Sequence, residues 1–182
     1  MALPNLNAAQ VGWIIQQTEA YIAAQRAIYR PDGVALTLAQ ATTMSPFFPQ
    51  LAINSTRLRT LVGTHVANPP FYGQLISWGF PPALLLNFAQ MAAITLVDTV
   101  VFQVPYADWI LFHELVHVVQ YQKLGLPTFA AKYITGFLSG GCYENIPLER
   151  NARELEERFS AAPANPFAVA DVVQAWIDEG RF

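Results

Sequence analysis

Asp108-Trp-Ile-Leu-Phe-His113-Glu114-Leu-Val-His117-Val-Val-Gln-Tyr-Gln-Lys-Leu124, closed by Gly125 and Pro127, is the stretch on which the reading of this chain turns. Asp108 reads as a helix N-cap, and Gly125 with Pro127 as the stop. On such a helix, residues four apart sit about 40° apart around the axis and roughly 6 Å along it. The imidazoles of His113 and His117 can therefore meet one tetrahedral zinc at about 2.0–2.1 Å each. Glu114 lies about 100° further round, too far for a third ligand but well placed to reach a metal-bound water. Leu111, Phe112, Leu115, Val116, Val118 and Val119 cover a broad apolar arc, and His113, Glu114, His117, Gln120 and Tyr121 fall in the remaining polar stripe. A helix of this kind is buried, with its polar stripe facing an internal cleft. The plain alternative is two histidines hydrogen-bonded in a core. Against it, an H-E-x-x-H arises by chance only about once per few hundred chains of this length, and two of the three histidines fall in it.

A two-histidine site that keeps a position open for water needs one more protein ligand. Downstream lies Tyr143-Glu-Asn-Ile-Pro-Leu-Glu149-Arg-Asn-Ala152-Arg153. Pro147 suits the first turn of a helix, whose apolar seam is Leu148, Ala152, Leu155 and Phe159. Glu149 sits at the margin of that seam and points into a cleft between helices, and small Ala152 lets the metal helix approach. Glu149 is the favoured third ligand. The alternatives are Glu144, in a loop after Gly140-Gly141, and His65, far upstream. The plain reading of Glu149 is a first-turn acid favoured by the helix macrodipole.

Outward from these motifs, residues 7–30 read as a long helix, with Val11, Ile14, Ile15, Thr18, Ile22 and Ile28 near helical spacing and a stop at Pro31-Asp32-Gly33. Residues 34–82 hold short helical or irregular pieces punctuated by prolines. Residues 93–104 are dense in β-branched side chains and predict one or two strands, with a hairpin about Asp98-Thr99. Helices are expected over 109–124, 128–138, 147–159 and 166–179. The order is helical, a small β element, then helical again, which makes an α+β, mainly α chain. It reads as one domain over 1–182, with a mainly helical part (1–92), a metal-binding core (93–160) and a C-terminal helix (161–182).

Composition narrows the function. Of 182 residues, 53% are hydrophobic and 13% charged, which excludes intrinsic disorder and a solvated coiled coil. A net charge of −3 with ten Lys and Arg leaves no electrostatic footprint for nucleic acid. The single cysteine, Cys142, builds neither a disulfide framework nor a cysteine zinc cage, and reads as a small turn or core residue. No acid or base occurs between Arg59 and Asp98, yet Pro69-Pro70, Gly79 and Pro81-Pro82 interrupt that run. A bilayer-crossing helix wants roughly 20 consecutive apolar residues, so no membrane span is expected. Met1-Ala-Leu-Pro-Asn-Leu-Asn lacks a basic, then apolar, export signal, which points to the cytoplasm or to export by another route.

His113-Glu114-x-x-His117 followed by a helical Glu149-x-x-Ala152 resembles the gluzincin branch of zinc metallopeptidases, whose third ligand is a glutamate on a second helix. Phe112-His-Glu-Leu-Val-His-Val-Val-Gln-Tyr121 is similar to small bacterial H-E-x-x-H proteins, among them domains associated with contractile injection systems. The resemblance covers roughly residues 93–160. It implies a zincin-like fold, Zn2+ held by His113, His117 and Glu149, and a peptide or protein substrate. It also implies Glu114 as the general base that takes a proton from the attacking water and passes it to the leaving amine. The strand at about Val100–Val104 would be the edge that holds an extended substrate. Two departures stand out. The gap from His117 to Glu149 is wider than in the thermolysin-like pattern, and no acid follows Ala152 where related motifs often carry Asp. Tyr143 ranks first as transition-state donor, ahead of Tyr133, Arg153 and His65.

Arg150–Arg158 reads as a charged solvent face laced with helical pairs, and Phe47-Phe48 with Pro69-Pro70-Phe71-Tyr72 as a lid or upper subdomain. Two further functional readings remain: a zinc-stabilised interaction or scaffold module, and a secreted effector or toxin-type protease. Glu114 argues against the scaffold, because a structural zinc site has no use for a general base and usually closes with four ligands.

Overall fold

The computed structural model describes residues 3–182; the reading of Met1 and Ala2 as the start of a signal-free N-terminus lies outside the described residues. The first helix, α1 (Ala8–Tyr29), starts at a capping box in which Asn7 and Gln10 exchange side-chain-to-backbone hydrogen bonds of 2.9 and 3.0 Å. It buries Ile14, Tyr21 and Ile22, whereas Ile28 is exposed despite its helical spacing. The expected short pieces follow as α2 (Leu38–Met44), α3 (Gln50–Ser55) and α4 (Tyr72–Ser77). Among them lies a strand that the sequence pattern does not announce, β1 (Arg57–Thr60). Only Leu58 of β1 is buried, so it carries no apolar run, and its place is fixed by backbone pairing.

The β-branched segment forms the hairpin β2 (Ala93–Leu96) and β3 (Thr99–Phe102). Its turn is Val97-Asp98, one residue earlier than expected, with Val97 at φ 65°. Asp98 draws this turn onto α1: Arg26 Nε and Nη2 donate to its two oxygens at 2.7 and 2.8 Å, and Arg30 Nη1 lies 2.8 Å away. Burial would raise the Asp98 pKa, but the two guanidiniums hold it below the ordinary carboxylate value.

The sheet order is β1-β3-β2, with β1 parallel and β2 antiparallel to β3. This corrects the placing of a substrate-holding edge at Val100–Val104. β3 is the central strand, bonded on both sides, and Val104 lies beyond it. The edge beside the metal helix is β2.

The metal-motif helix α5 (Asp108–Gly140) is broken at Gly125 (φ 72°, ψ 160°), which separates the two expected helices without a loop. Ala107, not Asp108, is the N-cap. Asp108 is the first helical residue and accepts a hydrogen bond from the Tyr106 hydroxyl, so it serves the helix as a first-turn acid. Then come α6 (Pro147–Ala161) and α7 (Val169–Asp178). Gly136 allows the second half of α5 to lie against the start of α6, since a Cβ there would come within 2.6 Å of Pro147 Cδ.

Phe112 anchors the larger core, stacked on Phe159 at 4.4 Å and edge-on to Phe47 and Phe48 at 5.5 and 4.8 Å. Phe47 and Phe48, 3% and 4% exposed, are therefore core residues and not a lid. In Arg150–Arg158 the charged Arg150, Glu154, Glu157 and Arg158 are exposed, as expected of a solvent face, but among the described residues no ion pair joins two members of the segment. Asn151 is buried, Arg158 stacks over Phe167 at 3.9 Å, and Glu154 pairs with Arg181 outside the helix. Among the described residues no helix is long and apolar enough to cross a membrane.

Candidate metal centre

The first half of α5 buries its apolar arc completely: Leu111, Phe112, Leu115, Val116 and Val118 have no exposure. That fixes the rotation of the helix, so His113, Glu114, His117 and Gln120 turn toward α6 and β2. Across the gap, Leu148, Ala152 and Leu155 bury the seam of α6 and bring Glu149 to face the two histidines.

Three ligand atoms converge. His117 Nε2 lies 3.1 Å from His113 Nε2, and each of these nitrogens lies 3.4 Å from Glu149 Oε2. Donors at about 2.0–2.1 Å from one tetrahedral ion stand about 3.3 Å apart, so the cluster has the spacing and the chemistry for zinc without rearrangement. Two imidazoles and a carboxylate suit zinc better than magnesium or calcium. The alternative ligands are elsewhere: Glu144 is exposed, and His65 is exposed in the loop after β1.

Hydrogen bonds orient these side chains. Gln120 Nε2 donates to the Leu148 carbonyl at 3.0 Å, which can only accept, so the Gln120 oxygen must face His117 Nδ1, 2.8 Å away. In the neutral ring Nδ1 therefore carries the proton, which leaves the Nε2 lone pair for the cluster. One side chain thus sets the tautomer of His117 and ties α5 to the residue before Glu149. Glu149 accepts from the Tyr143 hydroxyl (Oε2, 2.6 Å) and the Tyr133 hydroxyl (Oε1, 3.0 Å). Tyr143, the favoured transition-state donor, is thus at the centre, and so is Tyr133, which the break at Gly125 swings back over it. Arg153 is half-buried and outside the cluster, near enough to Tyr143 to act on its hydroxyl electrostatically.

The charges are coupled. Burial alone would lower the His117 pKa, but Glu149, Glu114 and Gln120 outweigh it and lift it to about 9. Burial would raise Glu149, yet the two histidines hold it well below the ordinary carboxylate value. Burial, with Glu149 adding, pushes Tyr143 and Tyr133 far up, so both remain hydrogen-bond donors.

Glu114 is 6% exposed, and its Oε2 accepts from Thr95 Oγ1 at 2.6 Å. Thr95 stands on β2. Because Gln103 N donates to the Ala92 carbonyl, the antiparallel alternation turns the backbone groups of Ala93 and Thr95 away from β3. Beyond Glu114 opens a cavity of about 120 Å³ that also touches His117, Glu149 and Tyr143 and is otherwise walled largely by apolar side chains.

The structure brings together His113, His117, Glu114, Glu149 and Tyr143, which the sequence singles out beside an internal cleft, and adds Thr95 and the residues that wall that cleft. Gln120 had a signal, a polar residue three positions after a ligand on a buried stripe. Thr95 had none, because only strand pairing sets it beside Glu114. Comparison with protein-family models, curated protein sequences and solved structures finds no match for this chain.

Proposed function

We propose that this chain is a zinc-dependent metallopeptidase with a small zincin-like, gluzincin-type arrangement. The observation that carries the reading is the convergence of His113 Nε2, His117 Nε2 and Glu149 Oε2 within 3.1–3.4 Å, with the Glu114 carboxylate opening on the same cavity. His113, His117 and Glu149 would hold the zinc, which supplies a Lewis acid that acidifies a water and polarises a carbonyl. Glu114, steadied by Thr95, takes the proton from the attacking water and delivers it to the leaving amine as the C–N bond breaks. Tyr143, kept protonated, gives its single hydroxyl proton to Glu149 Oε2 before substrate enters, and would turn it to the carbonyl oxygen as negative charge develops there. The edge of β2 offers the backbone groups of Ala93 and Thr95 to an extended peptide.

The test is elemental analysis of the purified chain beside His113→Ala, Glu149→Ala and Glu114→Gln, each then incubated with a peptide library. About one zinc per parent chain is expected, lost in the first two variants. Glu114→Gln keeps the metal while cleavage falls about 10²- to 10⁴-fold. Absence of zinc in the reconstituted parent, or unimpaired cleavage by Glu114→Gln, overturns the reading.

A further inference from the structure

The cavity beside the metal centre has a definite shape and chemistry. One end is polar, where Glu114, His117, Glu149 and Tyr143 meet. The remainder is walled largely by apolar side chains, among them Ile14 beside Thr18 of α1, Phe71 and Leu75 at α4, Ile94 of β2 and Phe137 of α5. Five of those six, Ile14, Phe71, Leu75, Ile94 and Phe137, are under a tenth exposed, so the wall is fixed by the core and not by mobile surface side chains. Most of it comes from residues before 92, the half of the chain that contributes nothing to the ligand set.

Size selects the occupant. The volume is about 120 Å³, and an apolar cavity of about 150 Å³ stays dry and takes up benzene. The space therefore fits one branched or aromatic group and excludes a long acyl chain. An apolar wall gives a charged or strongly polar group nothing in exchange for its hydration. The Thr18 hydroxyl, buried without a partner, is the one polar atom among the described residues of the far wall left unsatisfied.

We infer that this cavity receives a single leucine- or phenylalanine-sized apolar side chain flanking the bond to be cleaved, and that the N-terminal half of the chain is thereby its specificity element. This rests on the metallopeptidase reading. Loss of one methylene from a group in such a pocket costs about 10- to 200-fold in kcat/KM, so peptides with Ala in place of Leu or Phe at the selected position are poor substrates.

Two measurements on the full zinc-loaded chain separate this inference from the reading beneath it. The first is binding of fluorobenzene followed by ¹⁹F NMR, in the parent, in Thr18→Phe, which fills the cavity, and in Thr18→Val, which keeps its volume. Thermal melting establishes that each is folded. The second is the cleavage preference of the parent on a peptide library. Fluorobenzene bound by the parent and by Thr18→Val but not by folded Thr18→Phe, together with cleavage beside Leu, Ile, Met or Phe, is the expected result. A folded parent that does not bind fluorobenzene overturns the cavity proposal even if peptides are cleaved, as does cleavage without an apolar preference. Fluorobenzene bound with no peptide cleaved overturns the metallopeptidase reading and, with it, the assignment of the occupant to a substrate.

Discussion

Gln120 and Thr95 show how single polar side chains in a buried site act through their neighbours. Gln120→Leu keeps the volume but frees the His117 ring and the Leu148 carbonyl. It is expected to weaken zinc binding about 10- to 100-fold, measured by competition with a chromophoric chelator. Thr95→Val removes the hydrogen bond to Glu114, and kcat should fall about tenfold with KM and zinc content unchanged, while Thr95→Ser restores it. The coupled ligands also set a pH dependence. His117 is raised from 6.5 to about 9 in the metal-free protein, so its contribution to stability is complete below 6.5 and disappears as pH rises through about 9. Glu149 is depressed, so its contribution is present above 4.5 and is lost as pH falls through its lowered value. The metal-free protein should therefore be most stable between these limits, with Tm declining from pH 6.5 toward 9. Zinc competes with the proton on His117, so the Tm gap between loaded and metal-free protein should widen over the same window. A gap that narrows as pH rises would contradict the coupling.

At the scale of elements, the break in α5 does more than end a helix. Gly125 at φ 72°, ψ 160° turns the chain while leaving no loop, and so returns Phe129 and Tyr133 to the face that carries His117. Any residue with a Cβ is strained in that backbone region. Gly125→Ala is expected to cost about 1–3 kcal/mol of stability in chemical denaturation, and to loosen Tyr133 from Glu149. The β2–β3 hairpin is placed by charge as well as pairing, with Asp98 clamped between Arg26 and Arg30 so that α1 is held along the sheet. Gln103 adds a second clasp: it accepts from Val66 N and donates to the Phe88 and Met91 carbonyls, gathering the irregular segments that wall the cavity.

For the whole molecule, the two core clusters decide what can be separated from what. One gathers Phe47, Phe48 and Phe112 with α6 and α7; the other joins α1, α4 and β2 to the second half of α5. Both draw on residues before and after 92, and β1 fills the parallel edge of β3. A fragment of residues 93–182 would expose that edge and lose about a quarter of one core and half of the other, so it is expected to lack a cooperative melting transition by circular dichroism although it contains His113, His117 and Glu149. A fragment that folds and binds zinc would show the N-terminal half to be an appendage.

The sequence by itself determined the H-E-x-x-H helix, its rotation, the hairpin, and Glu149 as the carboxylate that faces the two histidines. These follow from helical periodicity and β-branched density, which are local and act over a few residues. Only the tertiary structure decided that β3 is central and β2 the edge, that Phe47 and Phe48 are core, that Thr95 holds Glu114, and which distant residues wall the cavity. Each of these depends on pairing and packing between segments tens of residues apart, where backbone hydrogen bonds carry little side-chain identity. A void is shaped by how well distant surfaces fit, and no single stretch of sequence contains that fit.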